Sequence, residues 1–258
     1  EISACLVGSE MCIRDRAITE ISDQYDYTYI RSAKDFVTRK WHRFPVQGRR
    51  DWEERIMWRY GPRDPERFPP DFVDRCHALR GRDSVLQLTF NGPFWQLREW
   101  CGLENLCLLM IEEPDFVQEM IGFWSDFVLQ TLEPVLEQVE LDNVTISEDM
   151  AYKGHSMISP AMVRRFLMPS YVRWVRAIKG SGCPLVTVDS DGHVAELIRL
   201  WIEARINCCE PMEVAAGNDI VAYRQQFGRR MAYVGAIDKR ALAAGGEEMR
   251  AEVMRVVP

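Results

Sequence analysis

The 258-residue chain has no uninterrupted apolar run near the roughly 18 residues that a membrane-spanning helix needs. Its longest apolar stretch, 194–209, is broken by Glu196, Arg199, Glu203 and Arg205, and reads as an amphipathic helix feeding a strand. Basic blocks are missing too. The chain has 32 Lys and Arg against 39 Asp and Glu, a net charge of −7, which argues against a nucleic-acid partner. The eight cysteines form no CxxC pair, and only Cys208 and Cys209 are adjacent. That scatter fits neither a disulfide framework nor a secreted domain, so reduced thiols in a cytoplasmic protein are expected. No GxGxxG turn supports a dinucleotide-binding open sheet. What remains, 47% hydrophobic and 28% charged, is an ordinary globular composition of a length that suits one α/β barrel.

Residues 6–16, Leu-Val-Gly-Ser-Glu-Met-Cys-Ile-Arg-Asp-Arg, resemble an in-frame translation of a transposase adapter used in DNA library preparation. Residues 1–16 are therefore expected to be an artefact that packs against nothing. Residues 17–258 are expected to be a fragment of one barrel domain, since the C-terminal Val256-Val257-Pro258 stops inside an amphipathic pattern without a cap.

Residues 17–60 mix aromatics and charges, and Tyr27-Thr28-Tyr29-Ile30 reads as a short strand. Four prolines make 61–70 a loop, and 71–79 reads as a short helix. Then a regular alternation begins. Strands are predicted at 84–90, 143–147, 184–188, 206–209 and 231–235. Between them lie helical patterns after Pro114, from Ser159-Pro160 to Gly180, over 194–201, over 219–227 and from Glu247. Pro134 is expected to kink the first of these helices and Pro169 to bend the second. Ser159 with Pro160 is an N-cap followed by proline at the first helical position. Short apolar strands alternating with amphipathic helices predict an α/β fold with a parallel sheet, a TIM-type (β/α)8 barrel with about five of eight strands present.

In such a barrel the active site lies at the C-terminal ends of the strands. Those ends read Asn91-Gly92-Pro93-Phe94, Glu148-Asp149 with Tyr152 and Lys153, Asp189-Ser190-Asp191-Gly192-His193, Glu210 with Glu213, and Asp238-Lys239-Arg240. Glu148, Asp149, Asp189, Asp191, Glu213 and Asp238 are expected to share one cavity. Asp189, Asp191 and His193 could direct two oxygens and an imidazole at a divalent metal, zinc or a harder ion. A metal-free acidic pocket explains the same residues. Asp238 and Glu213 are as well read as helix caps. Lys153, beside Tyr152, is expected to orient an anionic substrate or tune a neighbouring carboxylate, and reads equally as a solvated loop ion pair. The tryptophans at 95, 100, 124 and 174 read as packing.

Several of these motifs, in order, resemble the uroporphyrinogen decarboxylase superfamily. They are Arg98-Glu99-Trp100, Glu113-Pro114, Glu148 to Gly154, Ile158-Ser159-Pro160, Phe166-Leu167-Met168-Pro169 with Tyr171, Asp191-Gly192, Glu210 to Gly217 and Gly235 to Arg240. The resemblance implies a TIM barrel enzyme acting on a small molecule. Glu148, Asp149, Tyr152 and Lys153 would be catalytic, and Asn91, Phe94, Glu210, Glu213 and Asp238 would bind substrate. Two chemistries are implied. One is methyl transfer between a small methylated compound and a corrinoid protein, with zinc held partly by a His-x-Cys motif. The other is cofactor-free decarboxylation of uroporphyrinogen or a similar polyacid, as in tetrapyrrole biosynthesis. Here Asp189 and Asp191 stand at the His-x-Cys positions, which removes the soft thiolate. Methyl transfer with a corrinoid partner is the leading reading, decarboxylation the second and a non-catalytic ligand-binding barrel the third. A homodimer is left open.

Overall fold

The computed structural model describes residues 18–21 and 39–256. The adapter-like segment and the strand expected at 27–30 lie outside the described residues. Two short strands, β1 (Ile18–Ile21) and β2 (Arg39–Arg43), pair antiparallel in a sheet of their own. Helical turns over 49–59 bury Trp52 and Ile56. The Trp52 ring packs on Trp100 and Phe123 with centroids 5.1 and 5.0 Å apart. A short helix, α1 (Phe72–Ala78), follows the proline-rich loop.

The rest is an incomplete TIM-type barrel. Five strands, β3 (Gln87–Asn91), β4 (Asn143–Ser147), β5 (Leu185–Asp189), β6 (Cys208–Met212) and β7 (Ala232–Gly235), pair parallel in sequence order. Between β3 and β4 run α2 (Pro93–Cys101), α3 (Leu103–Glu112) and α4 (Pro114–Gln138). The composition predicts only the last of these. The break between the first two is Gly102, at φ 78°. The α4 helix continues through Pro134. Before α5 (Met168–Gly180), a π-helical turn over Val163–Leu167 follows the cap in which Ser159 accepts from the Met162 N–H. That turn absorbs Pro169, which has no N–H to continue an α ladder. The remaining crossovers are α6 (Ala195–Glu203) and α7 (Ile220–Phe227); α8 (Lys239–Ala244) and α9 (Gly246–Val256) follow β7.

Three strands, β3, β5 and β6, end later than the sequence pattern predicts, because the backbone ladder continues past the last apolar side chain. Asn91, Asp189 and Glu210 therefore stand inside strands, not after them. Ser190 N–H still donates to the Glu210 carbonyl at 2.7 Å, and Gly92 N–H to the Ser147 carbonyl at 2.7 Å.

The register gives the sheet two unlike faces. Phe90, Ile146, Val188 and Cys209 are in register and buried beneath the helices, with Phe90 edge-on to Trp174 at 5.2 Å. Five tryptophans, 52, 100, 124, 174 and 201, are fully buried, each contributing roughly 2–3 kcal/mol by area. The opposite face carries Thr89, Thr145, Thr187 and Cys208 in one row and Asn91, Ser147, Asp189 and Glu210 in the next. The six cysteines of the described residues are all free. Among the described residues no helix is long and apolar enough to cross a membrane.

Candidate functional site

The site starts from the polar face. Gln87 and Asn143 donate to the Thr145 hydroxyl at 3.0 and 3.2 Å, and the Thr187 hydroxyl donates to Asn143 at 2.8 Å. Thr145 also bonds the Glu210 carboxylate. At the C-terminal row, Ser147 donates to Asp189 at 3.3 Å. Asn91 donates to Gln96 at 3.1 Å.

Burial, and then the neighbouring Glu210, Asp191 and Asp149, push Asp189 up to about 6, against the lowering bond from Ser147. Asp191 is raised by burial and by Asp149 and Glu213; Glu210 is raised by burial. Asp149, Asp189, Asp191 and Glu210 thus share one crowded rim. Glu213 sits lower than usual because Lys239 pairs with it at 2.6 Å, and the Gly192 N–H donates to it at 3.1 Å. A cleft of about 380 Å³ opens at this rim, with Tyr152, Lys153, Asp191, Gly192, Glu213 and Arg240 in its wall.

Other expected members of the cavity are elsewhere. Glu148 has no exposed surface. It accepts from the Phe94 and Trp95 N–H groups at 3.0 Å each and from the Tyr171 hydroxyl. A carboxylate from β4's end thereby caps the first turn of α2, where free N–H groups and the helix dipole favour an anion. Burial nevertheless pushes it up to about 7, outweighing the Tyr171 and backbone bonds. The turn depends on Gly92, because a Cβ there would fall 2.1 Å from the Glu148 carboxyl carbon. Phe94 offers its N–H to Glu148 and its ring is fully buried, so its side chain cannot meet a substrate in the cleft. Asp238 caps α8 through the Arg240 N–H and pairs with the Arg240 side chain, which holds it at about 2.

Asp149, at φ 39°, is held by Arg98, which donates 2.7 Å to its carbonyl and 3.1 Å to its carboxylate. Arg98 stacks over Trp95 at 4.6 Å. Lys153 lines the cleft, but the cations that pair with rim carboxylates are Arg98 and Lys239. Sequence reasoning missed both as site residues, although each stands in a motif: Arg98 on the helix after Gly92-Pro93, Lys239 directly after Asp238.

The imidazole Nδ1 of His193 lies 2.9 Å from the Ala216 carbonyl, and Asp189 and Asp191 put carboxylates where the implied zinc motif has an imidazole and a thiolate. Among the described residues no three His, Cys, Asp or Glu side chains are placed to hold an ion.

No curated protein matches the chain. Among solved structures, a methyltransferase from Methanosarcina mazei superposes with a TM-score of 0.53 at 13% identity, over 84% of this chain and 63% of that one. The chain thus spans less than two thirds of that structure's length, and the likeness is one of fold. Residues 90–258 match the family model of uroporphyrinogen decarboxylase (URO-D). That stretch holds β4 to β7 and every residue of the rim and cleft, and by it the chain belongs to the uroporphyrinogen decarboxylase family.

Proposed function

We propose that this URO-D-family barrel enzyme transfers a methyl group from a small neutral or cationic methylated compound to a corrinoid carried by a partner protein. The observation that supports this is the charge of the rim. Asp189 is held at about 6, and Asp191 and Glu210 also sit above their ordinary values. Three of the nearby cations are already engaged, Arg98 by Asp149, Lys239 by Glu213 and Arg240 by Asp238, which leaves Lys153 in the cleft wall against several carboxylates. A polycarboxylate would meet like charge there. A methylated amine or ether would not. The methyltransferase name of the structural neighbour points the same way.

Asp189 then acts as the general acid. The bond between the methyl carbon and its nitrogen or oxygen breaks, the electron pair stays on the heteroatom, and that atom takes the Asp189 proton. Solvent returns the proton afterwards. An acid near 6 is suited to this at neutral pH. The corrinoid supplies the nucleophile that receives the methyl group; it is a co-substrate, and no residue of this chain is assigned to it.

The test is methyl transfer to reduced cobalamin, followed by its absorbance change, from a panel of methylamines and methoxy compounds. Asp189→Asn is expected to lower kcat by about 10²-fold or more. Carbon dioxide release from a porphyrinogen polyacid without cobalamin would overturn the reading in favour of decarboxylation. Binding of a panel compound without turnover would leave a ligand-binding barrel.

A further inference from the structure

The cleft's floor is made by two turns, one after β5 and one after β6. The first is irregular and the second closes in a short 3-10 turn over Val214–Ala216, and between them they supply Asp191, Gly192, Glu213, Ala215 and Ala216 to the cleft wall. One side chain joins them. Asn218, 7% exposed, uses its whole amide. Its Nδ2 donates to the carbonyls of Gly192 at 2.8 Å and Glu213 at 3.0 Å. Its Oδ1 accepts from the Val194 N–H at 3.2 Å and the Tyr223 hydroxyl at 3.1 Å. The amide cannot be turned over: two of its partners are carbonyls that only accept, and a third is an N–H that only donates. Around this knot, Gly192 N–H bonds the Glu213 carboxylate and His193 Nδ1 meets the Ala216 carbonyl.

We propose that Asn218 is a positioning residue for the reaction: it holds the Asp191 turn and the Glu213 turn at one fixed separation, and so sets how the two carboxylates present to a substrate in the cleft. It touches no substrate itself, because it lies beneath the wall. No other residue type fits. Asp would turn an anionic oxygen on two carbonyls; Ala or Leu would take the partner from the Gly192 carbonyl, the Val194 N–H and the Tyr223 hydroxyl, and leave the Glu213 carbonyl only the Ala216 N–H. The inference rests on the methyl-transfer reading only for its kinetic arm.

The experiment compares Asn218→Ala and Asn218→Asp with the wild-type protein by backbone amide exchange and by kinetics. In Asn218→Ala, exchange at Gly192 and Val194 is expected to speed up about tenfold or more while the β5 amides of Val186 and Val188 stay protected. On the same variant kcat is expected to fall about tenfold or more with KM within about twofold, since the reacting groups are displaced and not removed. Asn218→Asp is expected to recover part of both as pH falls, because a protonated carboxyl regains one donor. Unchanged exchange at Gly192 and Val194 would overturn the proposal. So would acceleration spread over the whole sheet, which marks simple unfolding, or loosened turns with unaltered kcat. If the wild-type protein moves no methyl group from any compound, the methyl-transfer reading fails by itself, and the exchange arm still decides whether Asn218 locks the two turns.

Discussion

A carboxylate sealed under a helix start is held by its donors. Glu148 satisfies two backbone N–H groups of α2 and the Tyr171 hydroxyl, and has no exposed surface. Glu148→Ala leaves all three donors unpaired and opens a cavity, so it is expected to cost about 3–5 kcal/mol in urea unfolding. A loss under about 1 kcal/mol would mean that the cap is not formed. Tyr171→Phe tests the same cluster differently. It removes a donor that favours the ionised carboxylate, so the Glu148 value should climb further above about 7. Its destabilisation is therefore expected to be larger at pH 8 than at pH 5.5, and equal losses at the two values would contradict the arrangement. Two isolated residues in the sequence, Glu148 and Tyr171, carry no sign that they meet. Both stand in family motifs, but only the packing of β4 against α5 shows that Glu148 is a buried cap and no part of the cleft.

At the scale of elements, the alternation of short apolar strands and amphipathic helices was legible because the two periods differ. The 143–147 prediction coincides with β4, and Gly228 ends α7 as its sequence position suggests. Strand ends were less legible. A strand's C-terminal rim carries polar residues on paired backbone, so hydrophobicity stops before the ladder does, as at Asp189 and Glu210. The helices α2 and α3 were missed because each is short: α2 shows its stripe of Phe94, Leu97, Trp100 and Cys101 for only two turns before Gly102, and the unbroken apolar run 106–111 of α3 has no period. Of the site, the acidic rim could be read from strand order alone. Its cations, its caps and the Asn218 knot could not, since each depends on which turn lies against which. One such approach is Gly192, at φ 85°, where a Cβ would lie 2.5 Å from the Ala151 carbonyl carbon. Gly192→Ala must push the turn after β4 away from the turn after β5. The expected cost is about 2–4 kcal/mol, read as a lower urea midpoint, with the cleft's reaction lost before the fold is. A variant as stable and active as the wild type would show that the two turns move freely.

The whole molecule combines groups that pull its stability in opposite directions with pH. Burial raises Glu148 to about 7 and Asp189 to about 6, so between their ordinary values and these the folded state binds more protons than the unfolded one. Their contribution is present at low pH and is lost as pH rises through roughly 4 to 7, by about 3 kcal/mol at most for Glu148 and less for the partly solvated Asp189. Asp238 and Glu252 behave in the opposite sense. Paired with Arg240 and Arg255, both are lowered to about 2. What they contribute is present above pH 4 and lost as pH falls toward 2. The two trends meet near pH 5, and maximal stability is expected there and not at pH 7–8, where many proteins are equally secure. Denaturant midpoints measured from pH 3 to pH 9 check this. Asp189→Asn should make the decline below pH 6 shallower, where Glu148 still contributes, and leave the part between pH 6 and 7, which belongs to Glu148. A midpoint that climbs steadily from pH 5 to pH 8 would show that neither carboxyl keeps its proton in the folded protein, and with it the general-acid role proposed for Asp189 would fall.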